Sequence, residues 1–380
     1  MTGRPFAILW LGAFTFFLSF LLLLSALPIF ARRLGASDAA VGLVMASFAV
    51  SSLALRPPTG WAADRFGRRP FMLAGAVVFV VASLAYGWAG GALGLVLVRL
   101  LHGCGMGLYP TAASAMVADL TPPERRGEIL GLYGAAGSLA LAAGPIAGIT
   151  LVEHLGFTPL FWIAGAVAAV ALALTSLTGE TLTRPRRVAF TAVHAFSPSA
   201  LFPSLVMLSL MLTYGAQIAF LPLHADTLGL NPGVFFLVFA LTTTLARGPA
   251  GRISDRRGRR AVAATGLVLA GVALVLLAFS RGVVGLGMAG AVYGLAYGTA
   301  QPALVAWCVD SAGPSDRGRA MGTFYTALEI GIAIGAMTAG LAVARWGFVT
   351  TFLATAAVAC AGAAIALLGP RPRPVPAAAA

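Results

Sequence analysis

The sequence predicts an all-α integral membrane protein with twelve transmembrane helices in two parallel six-helix bundles. Three observations predict this fold class: an apolar composition, apolar runs of membrane-spanning length, and one sequence unit that occurs twice. Of the 380 residues, 59% are hydrophobic and only 10% are charged. That is too little polar surface to cover a soluble globule of this size. The chain is therefore expected to lie in a membrane.

Twelve apolar runs are long enough to cross a hydrocarbon core of about 30 Å, which takes roughly 20 helical residues. They lie at approximately 5–30, 38–62, 71–90, 92–118, 127–152, 157–178, 199–225, 232–251, 261–280, 282–309, 319–344 and 347–368. The runs are continuous and lack the alternation of barrel strands, which indicates helices. The first run is too long for the apolar part of a signal peptide, so we interpret it as a retained helix.

One unit of sequence is present twice, 191 residues apart. The decapeptide at 60–69, Gly-Trp-Ala-Ala-Asp-Arg-Phe-Gly-Arg-Arg, returns at 251–260 as Gly-Arg-Ile-Ser-Asp-Arg-Arg-Gly-Arg-Arg. Other identical residues have the same offset: Arg56 and Arg247, Pro58 and Pro249, Gly103 and Gly294, Gly107 and Gly298, Asp119 and Asp310, and Gly144 and Gly335. A repeat of this kind indicates two structurally similar halves.

The arginines predict the orientation of the helices. All 25 basic residues are arginines, and with a cytoplasmic N-terminus eighteen of them fall on the cytoplasmic side and four on the opposite side. This asymmetry follows the positive-inside rule. We therefore expect a multi-pass protein of the cell membrane with both termini cytoplasmic. The arginines are spread over short loops beside anionic lipid, which argues against nucleic-acid binding.

Both copies of the decapeptide fall on the cytoplasmic side, so an even number of helices separates them and the bundles are parallel. The predicted segments are an N-terminal bundle at 1–178, a cytoplasmic linker at 179–198, a C-terminal bundle at 199–368 and a disordered cytoplasmic tail at 369–380. Cys104, Cys308 and Cys360 lie inside predicted spans at unrelated spacings, so neither a disulfide framework nor a metal site is expected.

Three motifs resemble those of the major facilitator superfamily, in particular its twelve-helix drug/proton antiporters. The decapeptide is similar to the family's loop motif between the second and third helices and is complete in both copies. Arg99 with Gly103 resembles the second family motif, and Gly144-Pro145-Ile-Ala-Gly148 resembles the antiporter motif. The resemblance covers the whole chain. It implies a central cavity between the bundles and transport by alternating access.

The loop motif is predicted to act as a gate. Asp64 and Asp255 end helices at the membrane surface, where the arginines behind them can pair with the carboxylate or with lipid headgroups. Gly60 and Gly251 lie one turn earlier, where a neighbouring helix can approach closely. Ion pairs that form in only one arrangement of the bundles would bias a two-state equilibrium. The alternative is plain interfacial anchoring by arginine. The motif residues are Gly60, Asp64, Arg65, Gly67, Arg68 and Arg69, and Gly251, Asp255, Arg256, Gly258, Arg259 and Arg260.

Four charged residues fall at membrane depth, where each costs about 2.5–3.5 kcal/mol unless it finds a partner. Arg56 and Arg247 occupy equivalent positions in the two halves, which indicates a structural task. Arg99 and Glu329 have no equivalents, because Gly290 and Ser138 stand there. This asymmetry makes Arg99 and Glu329 candidates for function.

Glu329 lies about ten residues, or roughly 15 Å, into the eleventh span. A carboxyl at that depth is protonated in a dry interface and ionises when a water-filled cavity opens beside it, as a proton carrier requires. The alternative is a permanent ion pair with Arg99, Arg247 or Arg56. His102, one turn from Arg99, either shares the proton or forms a hydrogen bond in a helix interface.

The family resemblance places spans 1, 4, 7 and 10 around the cavity. Their polar and aromatic side chains suit an amphipathic or lipophilic organic substrate better than a sugar, although each aromatic residue could serve helix packing instead. The candidate lining residues are Arg99, His102, Met106 and Tyr109, Tyr214 and Gln217, and Tyr293, Tyr297 and Gln301, with Phe14, Phe16, Phe17 and Phe20 from the first span.

These observations together predict a monomeric secondary transporter that exports a small amphipathic molecule or drug in exchange for protons, without a cofactor. A phosphate-binding loop ending in lysine is impossible in a chain without lysine, so an ATP-driven pump is not supported. The alternatives are a uniporter, importer or exporter of a metabolite such as a sugar, a membrane-embedded enzyme acting on lipid, and a sensor that does not transport. The four histidines show no catalytic spacing, which disfavours the enzyme.

Overall fold

The structure, a computed structural model, describes residues 4–122, 126–182, 196–312 and 316–369. The described residues form helices joined by short turns, with no strand among them, so the all-α prediction is confirmed. The central part of the predicted linker, at 183–195, and the predicted tail from 370 onward lie outside the described residues.

Twelve α-helices and two short 3-10 helices follow one another along the described chain. The α-helices are α1 (Arg4–Leu24), α2 (Ala26–Arg33), α3 (Asp38–Phe66), α4 (Arg69–Ala85), α5 (Gly91–Asp119), α6 (Arg126–Leu155), α7 (Phe157–Ser176), α8 (Leu201–Thr227), α9 (Gly233–Arg257), α10 (Arg259–Ala278), α11 (Val283–Ser311) and α12 (Arg317–Leu368). The 3-10 helices are Tyr86–Trp88 and Pro198–Ala200.

Eleven stretches of the described helices are long and apolar enough to cross a membrane, and α1 and α2 together form the first of them. The last stretch, Arg319–Leu368, has 50 residues. A straight helix of that length would measure about 75 Å, more than twice the hydrocarbon thickness. It is not straight, because the backbone of Gly347 is non-helical, with φ 77° and ψ 176°.

The turn inside each copy of the decapeptide requires glycine. Gly67, which follows α3, has a φ of +107°, and Gly258, which follows α9, has a φ of +88°. A side chain at such positive φ values would be strained. Each glycine ends one helix and lets the next begin one or two residues later, so the arginines of the motif stand at the start of α4 and α10.

Contacts divide the chain into two compact units. The first unit comprises Met1–Phe190 and Ile218–Leu237, and the second comprises Thr191–Gln217 and Val238–Ala380. The core of the first unit contains a stack of aromatic rings in which Phe16 packs on Phe79, with ring centroids 3.8 Å apart, and on Tyr109, at 4.1 Å.

Close helix contacts repeat in the two units with the offset of 191 residues found in the sequence. A Cβ atom added at Gly107 of α5 would lie 2.8 Å from the Cβ of Leu55 in α3. One added at Gly298 of α11 would lie 2.9 Å from the Cβ of Ala246 in α9. Because Leu55 and Ala246 are themselves equivalent positions, the duplication is preserved in the packing of individual residues.

Candidate functional site

The first ion-pair cluster consists of Asp64, Arg68 and Asp119. Asp64 lies in the last turn of α3, Arg68 in the turn after it and Asp119 at the end of α5. The Arg68 guanidinium donates to Asp64 and, at 3.1 Å from Nε, to Oδ2 of Asp119. Arg68 is only 7% exposed. One buried arginine therefore holds two helix ends together.

Glu180 also contacts this turn. Its carboxylate accepts hydrogen bonds from the backbone N–H groups of Arg68 at 2.9 Å and Arg69 at 3.0 Å, which are free donors at the start of α4. Burial alone would raise the pKa of the Glu180 carboxyl. Hydrogen bonds from the backbone N–H groups of Leu182, Arg68, Arg69 and Thr181 outweigh burial and hold that pKa below its usual range.

The second ion-pair cluster consists of Asp255, Arg259 and Asp310, the equivalent positions of the second unit. Arg259 donates to Asp255 and, at 3.1 Å from Nε, to Oδ2 of Asp310. Its side chain is 24% exposed, against 9% for Arg68. The position equivalent to Glu180 is Arg371, which lies outside the described residues. The same pairing is thus built in both units, in a more open form in the second.

The other arginines of the two decapeptides make three different kinds of contact. The guanidinium of Arg65 is exposed and lies 5.6 Å from the ring centroids of Trp61 and Phe66. Arg69 donates to the carbonyl of Ser176 at 2.9 Å and Arg260 to that of Ala366 at 2.9 Å, so each of these two ties its turn to the end of another helix. Arg256 is exposed.

Neither Gly60 nor Gly251 is packed tightly against another described helix in this structure. A Cβ atom at Gly60 would meet its nearest described neighbour, Cγ2 of Thr111, at 4.0 Å, and one at Gly251 would find no described atom within 4 Å. Both glycines lie in the last turns of helices whose ends are held by the arginine clusters. The arginines, and not the packing of these glycines, bring the helix ends together.

The antiporter-like motif is a helix contact. A Cβ at Gly144 of α6 would lie 2.6 Å from the Cβ of Leu21, and one at Gly148 would lie 2.8 Å from the carbonyl carbon of Leu22. Pro145 lies within α6 between them. The small residues therefore allow α6 and α1 to touch along their backbones. Gly335 meets Leu212 in the same way in the second unit.

Arg99 is buried without an acidic partner among the described residues. It is 2% exposed, and its Nε donates to the carbonyl of Val44 over a long 3.4 Å. Its guanidinium carbon lies 4.5 Å from the ring centroid of Phe48 and 5.9 Å from that of Phe20. Its Nη1 has no hydrogen-bond partner among the described residues. The charge is thus held by aromatic faces, which offset part of its desolvation.

His102 lies one turn from Arg99 and is fully buried. Its Nδ1 is 3.1 Å from the hydroxyl of Tyr86, and the rings of Phe20, Phe48 and Phe79 pack edge-on around it. Its Nε2 has no partner in the described chain. The structure therefore brings Arg99 and His102 together in one aromatic cluster.

Met106 and Tyr109, further along α5, belong to the hydrophobic core of the first unit. The Tyr109 ring stacks on Phe16, and its hydroxyl lies 3.4 Å from Oγ1 of Thr175. These contacts correspond to the packing alternative that the sequence left open.

Arg56, in α3, is half-buried and interacts with another group.

The second unit holds an aromatic cluster. Tyr214 lies 5.8 Å from Tyr297 between ring centroids, and Phe239 packs on both rings. Tyr293 is buried, with its hydroxyl 2.8 Å from Oγ1 of Thr213. Gln301 is half-buried one turn beyond Tyr297. The predicted face of α11 therefore contributes both Tyr297 and Tyr293 to this cluster, since each ring packs on Phe239.

Glu329 and Gln217 are the buried polar residues that complete the predicted set. Glu329, on α12, is 8% exposed and interacts with another group. Glu329 and Arg247 both lie within electrostatic reach of Tyr297. Arg247 is exposed. Gln217 is 1% exposed, and neither its amide nitrogen nor its amide oxygen has a partner among the described residues. An unpaired buried amide is costly, so it marks a place where a ligand or water can bind.

The long apolar helices and the repeated ion-pair clusters define the class: a helical membrane protein built from a duplicated unit. A family model described as Major Facilitator Superfamily matches residues 9–239 and 203–380. The chain belongs to the major facilitator superfamily, as the sequence motifs indicated, and it is accordingly a transporter and not an enzyme.

Similar proteins cover nearly the whole chain. An uncharacterized MFS-type transporter of Methanocaldococcus jannaschii is 23% identical over 346 residues, which cover 88% of this chain and 89% of the relative. The multidrug resistance protein MdtG of Citrobacter koseri is 27% identical over 374 residues, which cover 93% of this chain and 92% of the relative.

Solved structures show the same fold at low sequence identity. A nucleoside transporter, NupG, matches with a TM-score of 0.82 and 16% identity over 96% of this chain and 99% of that one. The human organic anion transporter MFSD10 matches with a TM-score of 0.71 and 22% identity over 96% of this chain and 99% of that one. The named cargoes differ, so the fold does not define the cargo.

Proposed function

We propose that this protein is a secondary active transporter that exports a small amphipathic or lipophilic organic molecule in exchange for protons, by alternating access. The observation that carries the proposal is the ion-pair cluster built twice at equivalent positions, around Arg68 and Arg259. Charge clusters at helix ends can bias two arrangements of a protein when their pairs form in only one of them. The relatives named multidrug resistance protein support a drug-like cargo.

We further propose twelve spans in two parallel bundles, 1–178 and 199–368, with both termini in the cytoplasm of a cell-membrane protein. The break at Gly347 supports the count of twelve, because it divides α12 into two segments that are each long enough to cross a bilayer. The excess of arginine in the segments assigned to the cytoplasm supports the orientation. We propose a monomer, with lipid headgroups contacting exposed arginines such as Arg65 and Arg256.

The proposed substrate contacts combine aromatic faces with few polar groups. In the second unit, Tyr214 and Tyr297 are only partly buried, and Gln217 offers an amide with both polar atoms unpartnered in the described chain. Such a lining suits a ligand with an apolar body and one or two polar groups.

Glu329 is the proposed proton carrier. A buried carboxyl loses its proton when water reaches it and regains it in a dry setting, and Glu329 is 8% exposed. The membrane potential alone supplies about 2.3 kcal/mol per charge per 100 mV, which is enough for roughly fifty-fold accumulation of substrate per coupled charge. The competing role for Glu329 is a lasting ion pair with an arginine.

The test is purified protein in liposomes loaded with a pH-sensitive dye, to which lipophilic cations, organic anions and sugars are added in turn. We expect proton movement with at least one amphipathic class, and none with sugars. Glu329→Gln should abolish it. Glu153→Gln, which changes an exposed carboxyl at the end of α6, serves as the matched control and should leave it intact. Proton movement that persists in Glu329→Gln would contradict the assigned proton site.

A uniporter or importer of a metabolite is the second candidate. The observation that favours it is Gln217, since a free buried amide suits a ligand rich in hydroxyl groups. Its flux would be indifferent to an imposed pH gradient, and the same liposomes distinguish it from the antiporter. If no substrate moves under any gradient, the remaining explanation is a sensor that does not transport.

A further inference from the structure

We infer that the Arg99–His102 cluster is a binding subsite for the anionic group of the transported molecule, so that the substrate is an amphipathic organic acid. The inference rests on the proposed function and specifies its substrate class. Two buried groups on one face of α5 carry it, because each has a hydrogen-bond donor that nothing in the described chain accepts.

Arg99 supplies the first free donor. Its Nε donates to the Val44 carbonyl at 3.4 Å, its Nη2 lies 3.9 Å from the Met45 sulfur, and the guanidinium also donates to the Tyr86 hydroxyl, but its Nη1 has no hydrogen-bond partner among the described residues. The rings of Phe20 and Phe48 interact with the guanidinium through their faces, but they accept no conventional hydrogen bond. A positive charge that is almost completely removed from solvent is thus left with hydrogen-bonding capacity to spare.

His102 supplies the second. The Tyr86 hydroxyl lies 3.1 Å from its Nδ1 and also accepts a hydrogen bond from the Arg99 guanidinium. A nearby cation favours the arrangement in which the phenol oxygen's lone pairs face Arg99 and its O–H donates to Nδ1. The imidazole proton then lies on Nε2, which has no partner in the described chain. Both unsatisfied groups are therefore donors, and they call for an acceptor.

The surrounding helices supply no carboxylate. α5 packs chiefly against α3 and α4, and the sequence contains no Asp or Glu at 5–37, 39–63 or 65–118. Asp38, the nearest acidic residue toward the start of α3, is already paired with Arg32. An anion that enters the aromatic cluster would therefore meet a cation and a second donor without a competing internal anion.

The cluster also defines the rest of the ligand. Around the guanidinium stand Phe20, Phe48 and Met45, which offer an apolar wall beside the charge. An organic anion with an aromatic or aliphatic body fits the free groups better than an organic cation does.

The experiment compares carboxylates with their uncharged amides on the detergent-purified full-length protein by isothermal titration. The probe pairs are 1-naphthoate and 1-naphthamide, indole-3-acetate and indole-3-acetamide, and octanoate and octanamide. At least one carboxylate should bind about tenfold more tightly than its amide, because a charge-assisted bond in a dry site is lost in the amide. Arg99→Gln should reduce that preference to less than about threefold, and Arg99→Lys should retain part of it.

Arg33→Gln is the matched control. Arg33 also lies over an aromatic ring, 5.1 Å from the Phe157 centroid, but at the end of α2. It should keep the full carboxylate preference. Arg99→Met adds a readout that a structural role would not give: thermal stability without ligand should be unchanged or higher, because an apolar side chain replaces an unpaired buried charge, while stabilisation by the carboxylate disappears.

Several results would overturn the inference. They are equal binding of every carboxylate and its amide, an undiminished preference in Arg99→Gln, saturation of the site by chloride alone, and a loss of ligand-free stability in Arg99→Met. Binding needs no gradient, so the two proposals can fail separately. Proton movement driven only by organic cations would leave the antiporter proposal standing and remove the anion subsite. Selective carboxylate binding without any proton movement would do the reverse.

Discussion

The first and second ion-pair clusters have the same chemistry and different surroundings. In both, an arginine four residues after an aspartate also pairs with an aspartate 51 positions further on. Arg68 is nearly buried and its turn is held by Glu180, whereas Arg259 is more exposed and its motif carries two additional arginines, Arg252 and Arg257, in place of Trp61 and Phe66. Duplication preserved the pairing, while the exposure and the neighbours of the two arginines differ.

The second unit has an acidic anchor of its own, at a different place. Asp316, at the start of α12, accepts hydrogen bonds from the hydroxyls of Ser197, at 2.5 Å, and Ser199, at 3.2 Å, ahead of α8. Hydrogen bonds from Ser197 and Arg319 hold the pKa of the Asp316 carboxyl below its usual range. The two units therefore fasten different helix ends with a carboxylate.

The two clusters should differ most in the stability that is lost when the central arginine of each, Arg68 or Arg259, is replaced. Arg68→Gln leaves two carboxylates without their buried cation and should reduce the free energy of unfolding by about 3 kcal/mol. Arg259→Gln removes a partly exposed cation and should cost about 1 kcal/mol or less. Thermal unfolding of both variants in the same detergent measures this. Equal losses would mean that exposure does not distinguish the clusters.

The paired glycines should show the opposite result, equal effects in the two units. Gly144→Ala and Gly335→Ala each place a Cβ against the backbone of the equivalent leucine, Leu21 or Leu212, and each should cost about 2 kcal/mol through overpacking. Gly134→Ala, where no described atom lies within 4 Å of an added Cβ, is the control and should gain about 0.5–1 kcal/mol from helix propensity. A clear inequality in thermal stability would show that the two packings are not equivalent.

Neutralising the aspartates separates gating from anchoring. If the clusters bias the equilibrium between two arrangements of the bundles, Asp64→Asn should change the transport rate about tenfold, which corresponds to about 1.4 kcal/mol in that equilibrium. Asp255→Asn should change the rate less. If the arginines serve only as anchors, both variants should transport as the parent protein does. Initial rates in liposomes at matched protein content decide between the two.

Glu180 should give the smallest effect, and one that depends on pH. Glu180→Gln weakens the bonds to the start of α4 and should cost about 1 kcal/mol at pH 7. Because the folded-state pKa lies below the unfolded value of about 4.3, the stabilisation is complete above that value and is lost as pH falls through the folded-state pKa. Melting curves from pH 7 to pH 3 should converge for the parent and Glu180→Gln. Glu153→Gln should not reproduce this convergence, and a constant gap would contradict the assignment.

The sequence could predict most of the fold because the length of each apolar run is a local property and the repeat relates distant residues by a fixed offset. The helix breaks at Gly347, the first residue of the twelfth predicted span. Even the pairing of Leu55 with Gly107, and of Ala246 with Gly298, has the register of the repeat. A repeat offset relates equivalent positions, and equivalent positions pack alike when the folds are alike.

The candidate site was harder to predict from the sequence, because its contacts join residues that are distant in sequence and depend on the direction of each side chain. The offset marked Asp119 and Asp310, but nothing in it showed that they face Arg68 and Arg259. Glu180 was missed, although it is the only acidic residue between Glu153 and Asp226, a signal that could have drawn attention to it. Gly60 is not tightly packed in this structure, because small size permits a close contact without requiring one.

Glu180 also affects how the gene can be divided. It stands three residues before the segment at 183–195 that leads to the second repeat, and it completes the turn between α3 and α4. A split of the coding sequence immediately after α7, at residue 178, would express the N-terminal fragment without its own capping carboxylate. A split after residue 182 would keep that fragment complete, and is the junction to choose for co-expressing the halves or inserting a reporter.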